Sequence, residues 1–187
     1  WNQSFLGPHG MCIGPDDNVY LVDRDAHIVL KYDLDERLLL TLGTRGQPSD
    51  TGYAGDLALV DRPGSPFHLP SGVAITDAGD IFVSDGYGNC RVHHYDPTGA
   101  LIDSWGGPGK SNPGDFHLPH GIGIDLAGRV IVCDRENNRL QIFNQDGEIQ
   151  GIWTGLRQPT DVVVGPEGET YVSELGHRIS ILDTEGN

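Results

Sequence analysis

The sequence predicts an all-β propeller, and three observations carry that prediction. The stretch from Phe116 to Phe143, FHLPHGIGIDLAGRVIVCDRENNRLQIF, has three variants elsewhere in the chain. Each copy consists of short Val/Ile/Leu runs separated by Gly, Pro, Asn and Asp turns, and helical periodicity competes nowhere. The copies recur every 40 to 62 residues with room for four strands, which is the organisation of propeller blades.

In order, the copies occupy residues 7–43, 67–106, 116–154 and 157–187, which together make one partial domain. The residue leading into each first strand is His9, Ser71, His120 or Thr160. The widest spacing, between the first two copies, contains a Gly-, Pro- and Asp-rich loop, 44–66. The runs 19–22 (VYLV), 81–84 (IFVS) and 130–133 (VIVC) are continuous and apolar. Such runs suit the middle of a blade, covered on both faces by its neighbours. The runs 92–95 (VHHY) and 140–143 (LQIF) partly alternate, so a more peripheral strand is expected there. Hairpin turns are expected at 15–18, 77–80 and 166–168, where Gly and Asp tolerate positive φ. The segments 97–99 and 145–147 play the same part between third and fourth strands. The fourth copy ends before its last strand. About four blades of an expected six are therefore read here. A closed four-bladed ring, with residues 1–6 supplying the missing strand, is the other arrangement.

The 187 residues include 27 acidic and 12 basic side chains, a formal charge of −15. That balance argues against nucleic acid and anionic membrane as partners, since both need a basic face. No apolar run is long enough to span a bilayer. The chain begins at Trp1, inside the repeat pattern and without a Met or a signal peptide, and is read as a fragment. Cys12, Cys90 and Cys133 form no disulfide framework and no zinc knuckle, so all three are expected to pack as small apolar residues, a usage compatible with the cytoplasm. A monomer is expected.

Connections in an antiparallel blade alternate between the two faces of the ring. The segment leading into strand one and the link between strands two and three therefore open on one face. Strand one is innermost, so His9, Ser71, His120 and Thr160 surround the channel mouth. His9 and His120 sit at equivalent positions on alternate blades. In a six-bladed ring, a third His two blades further on would complete a three-His zinc site with one open position. The third ligand lies outside this chain. Tyr87 and Arg135 depart from the repeat consensus and lie on the same face. A Tyr beside a cation and a metal can act as a base, and an Arg there can fork onto a carboxylate. Arg24 is a weaker second candidate. His68 and His117 are expected to pack or hydrogen-bond at the blade edge, and His27 and His177, which match Asn138, to hold backbone. His93 and His94 point to opposite faces and cannot share a metal. The acid closing each second strand, Asp23, Asp85, Asp134 or Glu174, is expected to brace the loop.

The motifs Asp85-Gly86-Tyr87-Gly88-Asn89, Trp105-Gly106, Pro113-Gly114-Asp115-Phe116-His117-Leu118-Pro119-His120 and Asp134-Arg135-Glu136-Asn137 occur here in that order. Together they resemble the lyase domain of peptidylglycine α-amidating enzymes, which is built from NHL repeats. Gly7-Pro8-His9-Gly10 resembles the preceding metal-binding blade of that family. The resemblance implies a six-bladed propeller with Zn2+ on His9, His120 and a third His, and Ca2+ in the full-length protein. It implies Tyr87 as base and Arg135 as its electrostatic partner. The implied reaction cleaves the C–N bond of a peptidyl-α-hydroxyglycine-like carbinolamide to an amide and glyoxylate. The fragment alone is expected to be inactive. The animal enzymes brace these blades with paired cysteines, and this chain has His68 with Gly88 and Ile131 with Ile142 at those places. The alternative is a non-catalytic NHL propeller that binds a protein or peptide. A lactonase-like propeller would put carboxylates and Asn on its cation, where this chain has His, Ser and Thr.

Overall fold

The computed structural model describes residues 4–55 and 57–187. Blade one contains β1 (Pro8–Ile13), β2 (Val19–Asp23), β3 (Ile28–Tyr32) and β4 (Leu38–Gly43). Blade two contains β5 (Pro70–Ile75), β6 (Ile81–Asp85), β7 (Arg91–Tyr95) and β8 (Leu101–Trp105). A short parallel pair follows, β9 (Gly107–Pro108) with β10 (Asp115–Phe116). Blade three contains β11 (Pro119–Ile124), β12 (Val130–Asp134), β13 (Arg139–Phe143) and β14 (Ile149–Trp153). Blade four contains β15 (Pro159–Val164), β16 (Thr170–Glu174) and β17 (Arg178–Leu182). Each blade is an antiparallel meander in chain order. The fold is the all-β propeller that the repeats predict. The idea that residues 1–6 add a strand falls partly outside the described residues, and 4–6 are not in a strand.

The core lies between blades, because alternate residues of a strand point to opposite faces. Ile81 and Val83 of β6 join Tyr20, Val22 and Val29 of blade one. Phe82, between them, joins Val130, Val132 and Phe143 of blade three. Ile131 and Cys133 of β12 turn the other way, onto Val162 and Val172 of blade four. A continuous apolar run is thus two half-runs serving two interfaces. One expectation needs correction. The third strands β7 and β13 are not peripheral but buried almost throughout. Some of their polar groups are satisfied internally, as with Gln141 Nε2 donating to the Asp115 carbonyl and the Asp134 carboxylate, whereas Arg91 Nε, His94 Nε2 and Tyr95 Oη of β7 are buried without a hydrogen-bond partner among the described residues. The periphery belongs to the fourth strands, whose Leu101 and Ile102 are exposed.

The first strands β1, β5, β11 and β15 pack in sequence and line a groove of about 600 Å³. The end blades keep bare faces: Met11 and Ile13 on blade one, and Val163, Ile179 and Ile181 on blade four, are all exposed. Among the described residues no helix is long and apolar enough to cross a membrane. No disulfide forms among the cysteines. Burial pushes the Cys12 and Cys90 thiols up to about 12, and Cys133 is also raised by burial.

Two local devices set the site's position. Each first strand carries a register irregularity at its leading residue, between Pro8 and Met11, Pro70 and Gly72, Pro119 and Ile122, and Pro159 and Asp161. A bulge re-aims a side chain that the pleat would otherwise send to a blade face. The second device is the acid closing strand two. Asp23 accepts from the Leu6 and Gly7 amides, Asp85 from His68 N, Asp134 from His117 N and Glu174 from Arg157 N. Each blade thereby ties its lead-in segment to its own second strand.

Candidate active site

His9 and His120 are the second residues of β1 and β11, so they belong to strand ends rather than to the preceding turns. The glycine that follows each is required by close approach of the next blade. A Cβ on Gly10 would lie 2.6 Å from the Ser71 carbonyl oxygen, and one on Gly121 would lie 2.5 Å from Cα of Asp161. That same approach brings a backbone acceptor to each imidazole. His9 Nδ1 lies 2.7 Å from the Ser71 carbonyl, and His120 Nδ1 lies 2.5 Å from the Thr160 carbonyl. A carbonyl only accepts, so Nδ1 carries the proton in both rings and Nε2 keeps its lone pair.

The two bare nitrogens meet at one atom. Tyr87 Oη is 2.9 Å from His120 Nε2 and 3.3 Å from His9 Nε2. The hydroxyl has one proton, and the shorter distance gives it to His120. The imidazole rings lie 4.9 Å apart, centroid to centroid. Tyr87 comes from the β6–β7 loop of blade two, between the two His-bearing blades. A Cβ on Gly86 would overlap the Pro119 carbonyl oxygen, and one on Gly88 would overlap the His68 ring. Glycine on both sides lets the loop lie flat on its neighbours and present the phenol. Leu118, just before Pro119, adopts a left-handed φ of 62°, a strained state for leucine before proline. The donors Arg135 N and Glu136 N, to the carbonyls of Leu118 and His117, hold it there.

Burial lowers the His9 pKa and lowers that of His120 to about 4, with Arg24 and Arg135 adding to both. Both rings are therefore neutral at pH 7, the state a metal requires. Arg135 is 6% exposed, and its Cζ lies 5.5 Å from the Tyr87 ring centroid. Its Nε donates to Glu136 Oε1 at 2.9 Å, and Glu136 is held in turn by Gln158 Nε2. The structure thus brings His9, His120, Tyr87 and Arg135 to one place. Among the described residues, no group of three or more His, Cys, Asp or Glu could hold a metal ion.

Other residues take structural positions. His27, Asn138 and His177 all have left-handed φ. His27 Nδ1 accepts from Leu69 N, and Asn138 Oδ1 accepts from Gln158 N. His68 Nδ1 bonds the Ser49 carbonyl and His117 Nε2 the Leu57 carbonyl, fastening the 44–66 loop over this face. His93 reaches Asp85, whereas His94 stacks on Phe82 with centroids 4.2 Å apart. His68 lies against Gly88, and Ile131 pairs with Ile142 across β12 and β13. Sequence reasoning missed Asp161, which lines the groove and whose charge reaches His9. It also missed the carbonyls of Ser71 and Thr160. A backbone acceptor leaves no residue-type signal.

The NHL repeat family matches residues 67–95 and 116–143. The chain carries NHL repeats on a propeller fold. It is 38% identical over 110 residues to the Drosophila melanogaster peptidyl-alpha-hydroxyglycine alpha-amidating lyase 1, covering 57% of this chain and 18% of that protein. It is 31% identical over 185 residues to a probable lyase of the same description from Caenorhabditis elegans, covering 97% of this chain and 47% of that one. The propeller thus spans less than half the length of these relatives. A solved streptogramin B lyase structure superposes with a TM-score of 0.71 over the whole chain and 55% of its own. At 16% identity that likeness concerns the fold.

Proposed function

We propose that the full-length protein containing this chain is a zinc-dependent lyase that cleaves a peptidyl-α-hydroxyglycine-like carbinolamide at its C–N bond, giving an amide and glyoxylate. The observation that supports this most is the meeting of two lone-pair-bearing imidazole nitrogens, from alternate blades, at one tyrosine hydroxyl. The homologues' names suggest the substrate class. His9 and His120 would hold the zinc through Nε2, with a third ligand from outside this chain. Their fit lies in the donor chemistry: each Nδ1–H is committed to a carbonyl, the usual outer partner of a ligating imidazole. When bound, zinc supplies Lewis acidity that eases deprotonation of the substrate hydroxyl.

Tyr87 acts as base in its phenolate form, its own proton having passed to solvent beforehand, and accepts the substrate hydroxyl proton. The O–H electron pair becomes the second bond of the glyoxylate carbonyl. The C–N pair departs with the nitrogen, which takes up a proton to become the amide. No oxidant is consumed. Arg135, fixed by Glu136, offsets negative charge developing beside Tyr87. The full-length protein also carries Ca2+, is monomeric, and takes small or peptide substrates.

The test is metal analysis of the full-length protein, together with glyoxylate release from N-benzoyl-α-hydroxyglycine. Zinc and turnover are expected. The Tyr87→Phe variant should keep zinc and lose about 10²- to 10⁴-fold in rate. A metal-free protein without turnover would leave the alternative, a non-catalytic propeller that binds a protein or peptide. A Tyr87→Phe variant working at the parent rate would remove Tyr87 from the mechanism. The isolated 187-residue chain should release no glyoxylate.

A further inference from the structure

We infer that Arg24 is the residue that receives the carboxylate of an anionic ligand at this site, and so determines specificity for acids over their neutral analogues. Nothing in the repeat pattern demands an arginine there. Its place in the site is nevertheless closer than that of Arg135: its Cζ lies 5.1 Å from the Tyr87 ring centroid, against 5.5 Å. The two arginines are repeat equivalents on the blades that flank blade two. Each opens a single 3-10 turn, Arg24–Ala26 or Arg135–Asn137, directly after the acid that closes strand two. Each is followed by an acid that takes its Nε–H, and each turn ends on a left-handed residue, His27 or Asn138. The same backbone therefore presents two guanidinium groups to one tyrosine from either side of its blade.

Their surroundings divide the work between them. Arg135 is almost fully buried and anchored through Glu136 to Gln158, which suits a fixed charge. Arg24 has a side chain 34% exposed, so solvent and ligand can reach it. Its Nε and one Nη donate to the two carboxylate oxygens of Asp25, at 2.7 and 3.2 Å. That fork stiffens the side chain and uses two of the five N–H donors, and the guanidinium also reaches the Tyr87 hydroxyl, so its remaining donors face the site beside that phenol. A stiffened guanidinium loses less freedom when it binds a carboxylate than a mobile one does. In a chain of net charge −15, a rim that can attract an anion has to be built locally, and Arg24 is placed to do so.

The proposal deepens the lyase reading, because a peptidyl-α-hydroxyglycine carries a carboxylate next to its reacting carbon. Two measurements on the full-length protein separate the two ideas. The first is equilibrium binding of N-benzoylglycine, which lacks the hydroxyl and cannot react, and of its carboxamide. Arg24→Gln should weaken acid binding about 10- to 100-fold, the loss expected of a charged hydrogen bond, and so shrink the acid-over-carboxamide preference. Arg24→Lys should restore part of that preference. The second is turnover of N-benzoyl-α-hydroxyglycine and its carboxamide, in which the same preference should fall in kcat/KM. Equal losses for acid and carboxamide, or no loss for either, would overturn the role of Arg24. If binding depends on Arg24 while no carbinolamide is cleaved, the lyase reading fails and the carboxylate site stands. If cleavage is robust and indifferent to Arg24, the reverse holds.

Discussion

Acid should weaken this protein through His120, and the size of the effect can be worked from its surroundings. Burial lowers its pKa from 6.5 to about 4 in the folded state. In the unfolded chain the ring titrates near its ordinary value. Between the two, the unfolded state binds the proton that the folded state refuses, so stability falls as pH falls. The contribution is complete above 6.5, declines below it and is exhausted near 4. At about 1.4 kcal/mol per pH unit, the loss amounts to about 3 kcal/mol. The measurement is urea denaturation of the zinc-free full-length protein in pH steps, for wild type and His120→Asn. Asn can still donate to the Thr160 carbonyl but does not titrate here. Subtracting the curves removes the carboxylates common to both. The wild-type curve should fall relative to the variant by about 3 kcal/mol across that window. A flat difference would show that the ring is not held neutral by its burial, and would undercut the argument that Nε2 is free for a metal.

Asp134→Ala should cost about 3–5 kcal/mol in chemical denaturation, since it strands the buried Arg139 whose Nε donates to that carboxylate at 2.7 Å. Gly86→Ala should destabilise by about 1–3 kcal/mol or more and slow any turnover, because its Cβ falls on the Pro119 carbonyl beside His120. Ile131→Cys with Ile142→Cys should form a disulfide under oxidising conditions, seen as loss of two free thiols by mass. The two residues are direct cross-strand partners. Thr51→Val should raise KM or lower kcat without removing metal, since Thr51 Oγ1 donates to the Gly88 carbonyl at 2.6 Å and steadies the Tyr87 loop.

Much of this fold was legible because repetition samples the same structural problem four times. The runs ending at Val22, Ser84 and Cys133 fall in second strands because a doubly covered strand must be apolar throughout. The pairing of His9 with His120 was legible from equivalent positions and strand topology alone. Three features were not. His93 and Gln141 look like surface residues in a string, and only tertiary partners make them tolerable inside. The 44–66 segment has loop composition, yet Val60 is buried in the core between blades two and three, with Tyr53 and Leu59 packed against it. Arg24 carried no stronger signal than any loop arginine, because its approach to Tyr87 depends on how blade one abuts blade two.

The carboxylates that close the second strands have a wider bearing. Each blade fastens its own lead-in segment with a side chain from within that blade. The residue displayed at the rim then need not hold the lead-in segment, although Ser71 and Thr160 still donate to the carbonyls of Ser84 and Ser173. That independence is visible in the sequence, where the four positions hold two imidazoles and two small hydroxyls on one scaffold. A blade of this kind behaves as an interchangeable mount. Ligands, bases or inert groups can be exchanged at its tip through single codons while the framework beneath stays as it was.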